Sequence, residues 1–284
     1  MQYFKKNYFF LFIAISVFLS HQIIFQDFFP NNNSKLGDDY SVFLPQFIFG
    51  KIWFNNNFFS IPWFSPSFCC GLPFYADLQT QFYTLQQLFF IIFSPILAIK
   101  LIFLFFSLVG FIGTYLLMNK SFGINKYISL IGAAIFLFNG FFNYRAIIGH
   151  ITYISFVFIP IFCFFLIKSF ENYKNKKKSI FYILISALLY AHIIQSSGGP
   201  PGIIITISIL LVLSIYIYNN EKFKIIYNLF FSFLIGLLIS SSKIIASLYF
   251  LKNFQRDYTP IFFKSYYDLI INFFQSFFLF PNTK

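Results

Sequence analysis

Residues 27–87 read DFFPNNNSKLGDDYSVFLPQFIFGKIWFNNNFFSIPWFSPSFCCGLPFYADLQTQFYTLQQ. This is a polar and turn-rich island between strongly apolar neighbours. It holds Asp27, Asp38, Asp39 and Asp77, four of the eight acidic residues of the chain. It also holds both tryptophans and five of the eleven prolines. Upstream lies an apolar run over 8–25, long enough to cross about 30 Å of hydrocarbon as a helix. Downstream come further runs over 96–118, 127–142, 151–167, 179–194, 203–218 and 225–249. The pattern predicts an all-α polytopic transmembrane bundle of about seven spans. It forms one integral membrane domain over 1–284, with 27–87 as a large, partly helical first outer loop.

The bulk composition agrees. Hydrophobic residues make up 58% of the chain and charged residues 10%, with a mean hydropathy of +0.75. Soluble domains carry about 25% charged residues. A water-soluble globule exposes too much surface to hide this much apolar material, so the partner is a lipid bilayer. The net charge of +12 does not point to nucleic acid. The basic residues gather in short gaps, as the positive-inside bias demands. With the N-terminus in the cytoplasm, the inside gaps hold Lys5, Lys6, Lys120, Lys126, Lys168, Lys174, Lys176, Lys177, Lys178, Lys222 and Lys224. The short outside gaps, 143–150 and 195–202, hold only Arg145. The expected location is a bacterial inner (cell) membrane. No small-x-small cleavage site follows the first run, so it reads as an uncleaved helix rather than a signal peptide.

Within the island, 40–54 reads as an amphipathic helix lying at the membrane surface, and 79–93 as a second short interfacial helix ended by Pro95. The motif FNGFFNYRAIIGHI, 138–151, reads as a polar break between spans. The segment 225–249 reads as one span carrying the unusual SSSK at 240–243. The last apolar run, 269–280, is too short to cross, which reads as a truncated chain. Cys163 lies in an apolar run and reads as a small core residue. Cys69 and Cys70 are adjacent, which is not a metal-binding spacing.

Candidate chemistry collects outside the lysine-rich gaps. Asp38 and Asp39 are candidate catalytic carboxylates. A carboxylate at a membrane surface acts as general base on a hydroxyl, or holds a divalent cation such as Mg2+ or Mn2+ through oxygen. A solvated turn is the plainer reading of an Asp-Asp pair. Arg145 suits a phosphate, because guanidinium pairs with it in bidentate fashion; the alternative is an interfacial anchor whose stem snorkels. Lys243 is a charge within an apolar run, which needs a partner or a wet cavity, unless it marks the end of the span. His150, His192, Asp77 and Arg256 complete the charged set, with Asp77 joining Asp38 or Asp39 only if the loop folds back. Tyr40, Trp53, Trp63 and Tyr75 are candidates to stack on sugar faces, against the plainer reading as headgroup-level aromatics. There is no Gly-rich phosphate loop and no Cys/His metal spacing, so nothing points to a nucleotide, haem or flavin.

The order of these features resembles a known family. A first span is followed by GDDYSVFLPQ, then by WFSPSFCCGLPFYADLQTQFYTL, then by the remaining helices. This is similar to the opening of polytopic glycosyltransferases of the GT-C type, especially the YfhO-like membrane proteins. The matching positions are Asp38 or Asp39, Pro45, Gln46, Trp63, Pro66, Gly71, Pro73, Gln79 and Tyr83, and the likeness covers 1–165. The resemblance implies a sugar transferred from a polyprenyl-phosphate donor to an acceptor on the outer face. It makes an acidic residue of the first outer loop the base or metal ligand, with Asp77, Arg145, His150, Gln46, Trp63, Lys243 and Arg256 expected around the substrate. Two other functions stand beside it: a transporter or flippase of a lipid-linked saccharide, and a non-catalytic membrane scaffold. Transporters show repeats and midplane polar sites. Here no repeat is found and the polar groups gather at one face.

Overall fold

The computed structural model describes residues 2–29, 39–67, 71–197, 199–220, 225–253 and 265–267. Asp38, Cys69, Cys70, Lys222, Lys224, Arg256 and the run 269–280 therefore lie outside the described residues. Contacts divide the chain into two compact units, Met1–Phe250 and Leu251–Lys284. In the second, the described residues are 251–253, the last turn of a helix, and 265–267.

The first unit is a helix bundle. Its elements are α1 (Gln2–Gln26), α2 (Tyr40–Asn57), α3 (Leu85–Ile92), α4 (Pro95–Leu116), α5 (Lys126–Leu137), α6 (Gly140–Ile147), α7 (Phe158–Glu171), α8 (Lys176–Ser197), α9 (Pro200–Asn220), α10 (Ile225–Ile239) and α11 (Ser241–Asn253). A π turn, Leu117–Ser121, extends α4, and a 3-10 turn, Ile151–Val157, leads into α7. Among the described residues extended pairing is limited to one isolated bridge, Ser65 with Leu72. Among the described residues six helical stretches are long and apolar enough to cross a membrane, and the bent pair α10–α11 makes up to seven. Leu11, Phe12, Ile15, Leu210, Leu211, Phe230 and Leu238 are exposed. Apolar surface of that extent belongs against lipid.

α7 is the centre. It packs on α4 and α8, and α8 in turn packs on α10. Phe162, Cys163, Leu166 and Ile167 are fully buried. The first span, by contrast, is almost entirely peripheral. Hydrocarbon gives helices no hydrophobic reason to associate, so close approach through small residues matters. A methyl group added at Gly113 of α4 would lie 2.9 Å from the Cβ of Ile161 and 3.0 Å from its backbone nitrogen. One at Gly236 of α10 would lie 2.9 Å from the Ala187 carbonyl oxygen on α8.

The spans alternate between two ends. At one, Lys168 donates to the Lys120 carbonyl (3.1 Å), and Asn228 donates to the Ser169 hydroxyl (2.9 Å). This end carries Lys120, Lys126, Lys168 and Lys176–Lys178. At the other, Tyr40 donates to the Ala146 carbonyl (2.6 Å) and Ser240 to the Ala191 carbonyl (3.2 Å). Here lie Asp39, Asp77, Arg145 and all three histidines.

Three expectations change. The stretch 138–151 is only partly a break. Asn139 caps a helix, its Oδ1 accepting the Phe142 N–H at 2.8 Å, and α6 continues the line of α5. The segment 225–249 is not one straight span either: α10 and α11 meet at Ser240 with a bend of 67°. The expected helix over 40–54 is present as α2, though its apolar residues do not gather on one face as an amphipathic helix requires. It is held to α3 by Phe47 stacked on Phe90 at 4.3 Å and by Gln87 donating to the Phe47 carbonyl at 3.0 Å. Lys51 donates to the Phe93 carbonyl at the end of α3 (3.1 Å), satisfying one of the carbonyls a helix leaves open.

Candidate functional site

The N-terminus of α2 is seated on the turn after α6. The Asp39 N–H donates to the Ile148 carbonyl at 3.2 Å. Gly149 takes a φ of +84°, and a side chain there would meet the Tyr40 nitrogen at 2.6 Å, so both conformation and space call for glycine. The Tyr40 ring is fully buried and its hydroxyl is spent on Ala146. It is not free to stack on a sugar.

This seating brings Asp39, His150 and Arg145 together. His150 Nε2 lies 2.7 Å from Asp39 Oδ2, and Arg145 Nη1 meets His150 Nδ1. Guanidinium only donates. His150 Nδ1 is therefore the acceptor, and Nε2 carries the proton that is donated to the carboxylate. Burial holds the imidazole below its ordinary pKa; the Asp39 charge opposes that shift and the Arg145 charge adds to it. The Arg145 guanidinium lies over the Tyr153 ring at 4.4 Å and the Phe141 ring at 5.6 Å, a cation–π seat that fixes its plane. Asp39 keeps a side-chain exposure of 39%, so its carboxylate is open to solvent.

A second polar cluster lies toward the other end of α2, whose 18 residues span about 27 Å at 1.5 Å per residue. Lys243, 3% exposed, donates to the carbonyls of Tyr75 (2.8 Å), Asp77 (2.6 Å) and Thr80 (3.1 Å) and to the Thr80 hydroxyl (2.9 Å). Three ammonium protons face four acceptors. The partner that a charge in an apolar run requires is thus the 75–80 loop, folded over the bend at Ser240. The Asp77 side chain closes its own turn by accepting the Gln79 N–H at 2.9 Å. Asp77 and Asp39 belong to two separate clusters.

Between this loop and α8 are two adjoining cavities, of about 480 and 450 Å3. Tyr83, Leu188 and His192 line both. His192 Nε2 lies 3.1 Å from the Leu85 N–H, one of the open donors at the start of α3, and 3.1 Å from Gln86 Oε1.

No family model, curated protein or solved structure matches this chain.

The other expected positions are dispersed. Gln46 is buried on the inner face of α2, and Trp63 is 57% exposed with its ring edge-on to Tyr75 at 5.5 Å. Trp53 donates its indole N–H to the Ser60 carbonyl at 2.9 Å. Asp38 and Arg256 lie outside the described residues. Among the described residues no three His, Cys, Asp or Glu side chains cluster as metal ligands. The Arg145 guanidinium, in contact with His150 beside Asp39, adds positive charge near that carboxylate, and Asp38, the other expected metal ligand, lies outside the described residues.

His21 escapes a reading of the sequence for chemistry. It is buried on α1, stacked on Phe103 at 5.3 Å, with Nε2 2.9 Å from Asn143 Oδ1. Gln22 donates to its Nδ1 at 3.0 Å, so Nε2 is the donor to Asn143. This clasp ties α1 to α6. The signal is there in the chain: a lone titratable residue inside an apolar span needs a partner.

Proposed function

We propose that this chain is a membrane glycosyltransferase. It takes a sugar from a polyprenyl-phosphate donor and places it on an acceptor hydroxyl at the lysine-poor end of the bundle. The observation that carries this reading is the contact series Arg145–His150–Asp39, with the carboxylate open to solvent. Asp39 accepts the acceptor's hydroxyl proton as the new C1–O bond forms and the C1–O bond to phosphate breaks. The bonding electrons of that bond leave with the polyprenyl phosphate. His150 orients the carboxylate through its Nε2–H, and the nearby Arg145 is the cation that would pair with the donor's phosphate. The lysine asymmetry supports an N-terminus in the cytoplasm, which puts the site on the outer face of a bacterial cell membrane.

The test is release of polyprenyl phosphate from tritiated undecaprenyl-phosphate-glucose and its mannose and galactose counterparts, by purified protein in detergent. Removing a general base costs about 10²–10⁴-fold, so Asp39→Asn should lose turnover on that scale while remaining folded. Equal turnover by the folded variant sinks the reading. A second reading, transport of a lipid-linked saccharide, has one observation on its side: broken helices are common in transporters, and this one breaks at Ser240. It predicts movement of a fluorescent lipid-linked sugar across proteoliposomes with no release of phosphate.

A further inference from the structure

The two cavities under the 71–84 loop differ in character. The larger is walled by Phe59, Phe82, Leu85, Leu88, Ile185 and Leu189. The smaller is walled by hydroxyls, amide and imidazole: Tyr75, Tyr83, His192, Gln195 and Ser242, with the aliphatic chains of Ile61, Ala191 and Ile239. They meet at Tyr83, Leu188 and His192. Each falls within the range of about 300–1,000 Å3 typical of small-molecule sites. Leu188, shared by both, is 59% exposed, and Leu88 is 40% exposed, on helices whose outer faces are apolar. The mouth therefore opens sideways, toward lipid.

The charge inventory narrows the ligand. Neither wall includes Lys, Arg, Asp or Glu. Lys243 of α11, which reaches the loop, has all its protons engaged by Tyr75, Asp77 and Thr80. Its ammonium lies 5.2 Å from the centre of the Tyr75 ring, so a phosphate placed here would find a nearby charge but no free cationic donor to hydrogen-bond it. Polar capacity is nevertheless in surplus. His192, which lines both cavities, has its Nδ1 buried without a partner among the described residues, and such a group is costly unless something satisfies it. Tyr75 and Tyr83 lie edge to face at 5.6 Å, and Trp63 stands against Tyr75.

We propose that this paired cavity binds a membrane lipid whose head group is uncharged and rich in hydroxyls. The head group sits among Tyr75, Tyr83, Gln195 and Ser242, and the acyl chain lies between α3 and α8. This site is separate from the Asp39 cluster and does not depend on the transferase reading. Its ligand is distinguished from a polyprenyl phosphate by walls that carry no Lys or Arg.

The full chain in phosphatidylcholine nanodiscs is to be photolabelled with a diazirine-bearing glucosyl diacylglycerol, and separately with phosphatidic acid carrying the same chain. Mapped cross-links should fall on 82–89 and 185–192 with the glucosyl probe, at least fivefold above the phosphatidic acid probe. Unlabelled glucosyl diacylglycerol should compete them away, and phosphatidic acid should not. Leu188→Trp, at an exposed position, closes the mouth and should lower labelling at least fivefold with thermal unfolding unchanged. Ser242→Ala should narrow the difference between the two probes. Equal labelling by both probes, labelling spread over all lipid-facing helices, or labelling untouched in folded Leu188→Trp overturns the proposal.

Discussion

His150 Nε2 stands 2.7 Å from Asp39 Oδ2, and the proton on that nitrogen is placed there by Arg145, which occupies the other side of the ring. An arginine thus chooses the tautomer with which a histidine addresses a carboxylate. Protonating the ring would set an Nδ1–H against a guanidinium N–H.

That geometry has a pH consequence. Burial first, and then Arg145, hold the imidazole below its ordinary 6.5 against the pull of Asp39. A depressed folded-state pKa contributes stability above pH 6.5, and that stability is lost as pH falls through the lower folded value. Acidifying from pH 7 to 5 should therefore lower the unfolding midpoint more in the wild type than in His150→Gln. Glutamine keeps an N–H for Asp39 and an oxygen for Arg145 without titrating. Identical acid sensitivity of the two proteins in a detergent thermal-unfolding series would count against the arrangement.

Arg145→Lys should behave as a substantial change. A compact ammonium loses the planar stack on Tyr153 and the fork that meets His150. The expected result is a loss of polyprenyl-phosphate release of about tenfold or more (each 1.4 kcal/mol is tenfold), with the midpoint of unfolding shifted far less. A lysine variant as active as wild type would remove the guanidinium from the chemistry.

Lys243→Met leaves the carbonyls of Tyr75, Asp77 and Thr80 without their donor. Each buried acceptor left open costs about 1–3 kcal/mol. Limited proteolysis should show the 71–84 loop cut first in this variant, while Thr80→Val, which removes one of the four acceptors, should resist longer. A loop equally protected in all three proteins would show that Lys243 does not hold it.

The glycines divide by what surrounds them. Gly113→Ala pushes a methyl into Ile161 and should destabilise by roughly 1–3 kcal/mol, as overpacking does. Gly140 opens α6 with nothing within 4 Å of an added methyl. Gly140→Ala should be neutral or stabilising by about 0.4–1 kcal/mol. Midpoints of chemical unfolding in mild detergent separate the two, and a reversed order would contradict the close contact of α4 with α7.

The sequence alone determined the class of this protein, its apolar runs and the end at which its lysines gather. Hydropathy and charge are sums over neighbouring residues, so a window reads them. It located Lys243 as an anomaly and Asp39, Arg145 and His150 as candidates. It did not say which of these meet. Only the tertiary structure decided that Asp39 joins His150 while Asp77 stays with the Lys243 loop, that 225–249 bends at Ser240, and that His21 fastens α1. Those contacts join residues far apart in the chain. The helices between them are apolar on every side, because lipid is as apolar as a core. No stripe of polarity marks the buried face, and the choice of partner is left to shape: a glycine where two backbones must pass, and a polar atom that must find its complement.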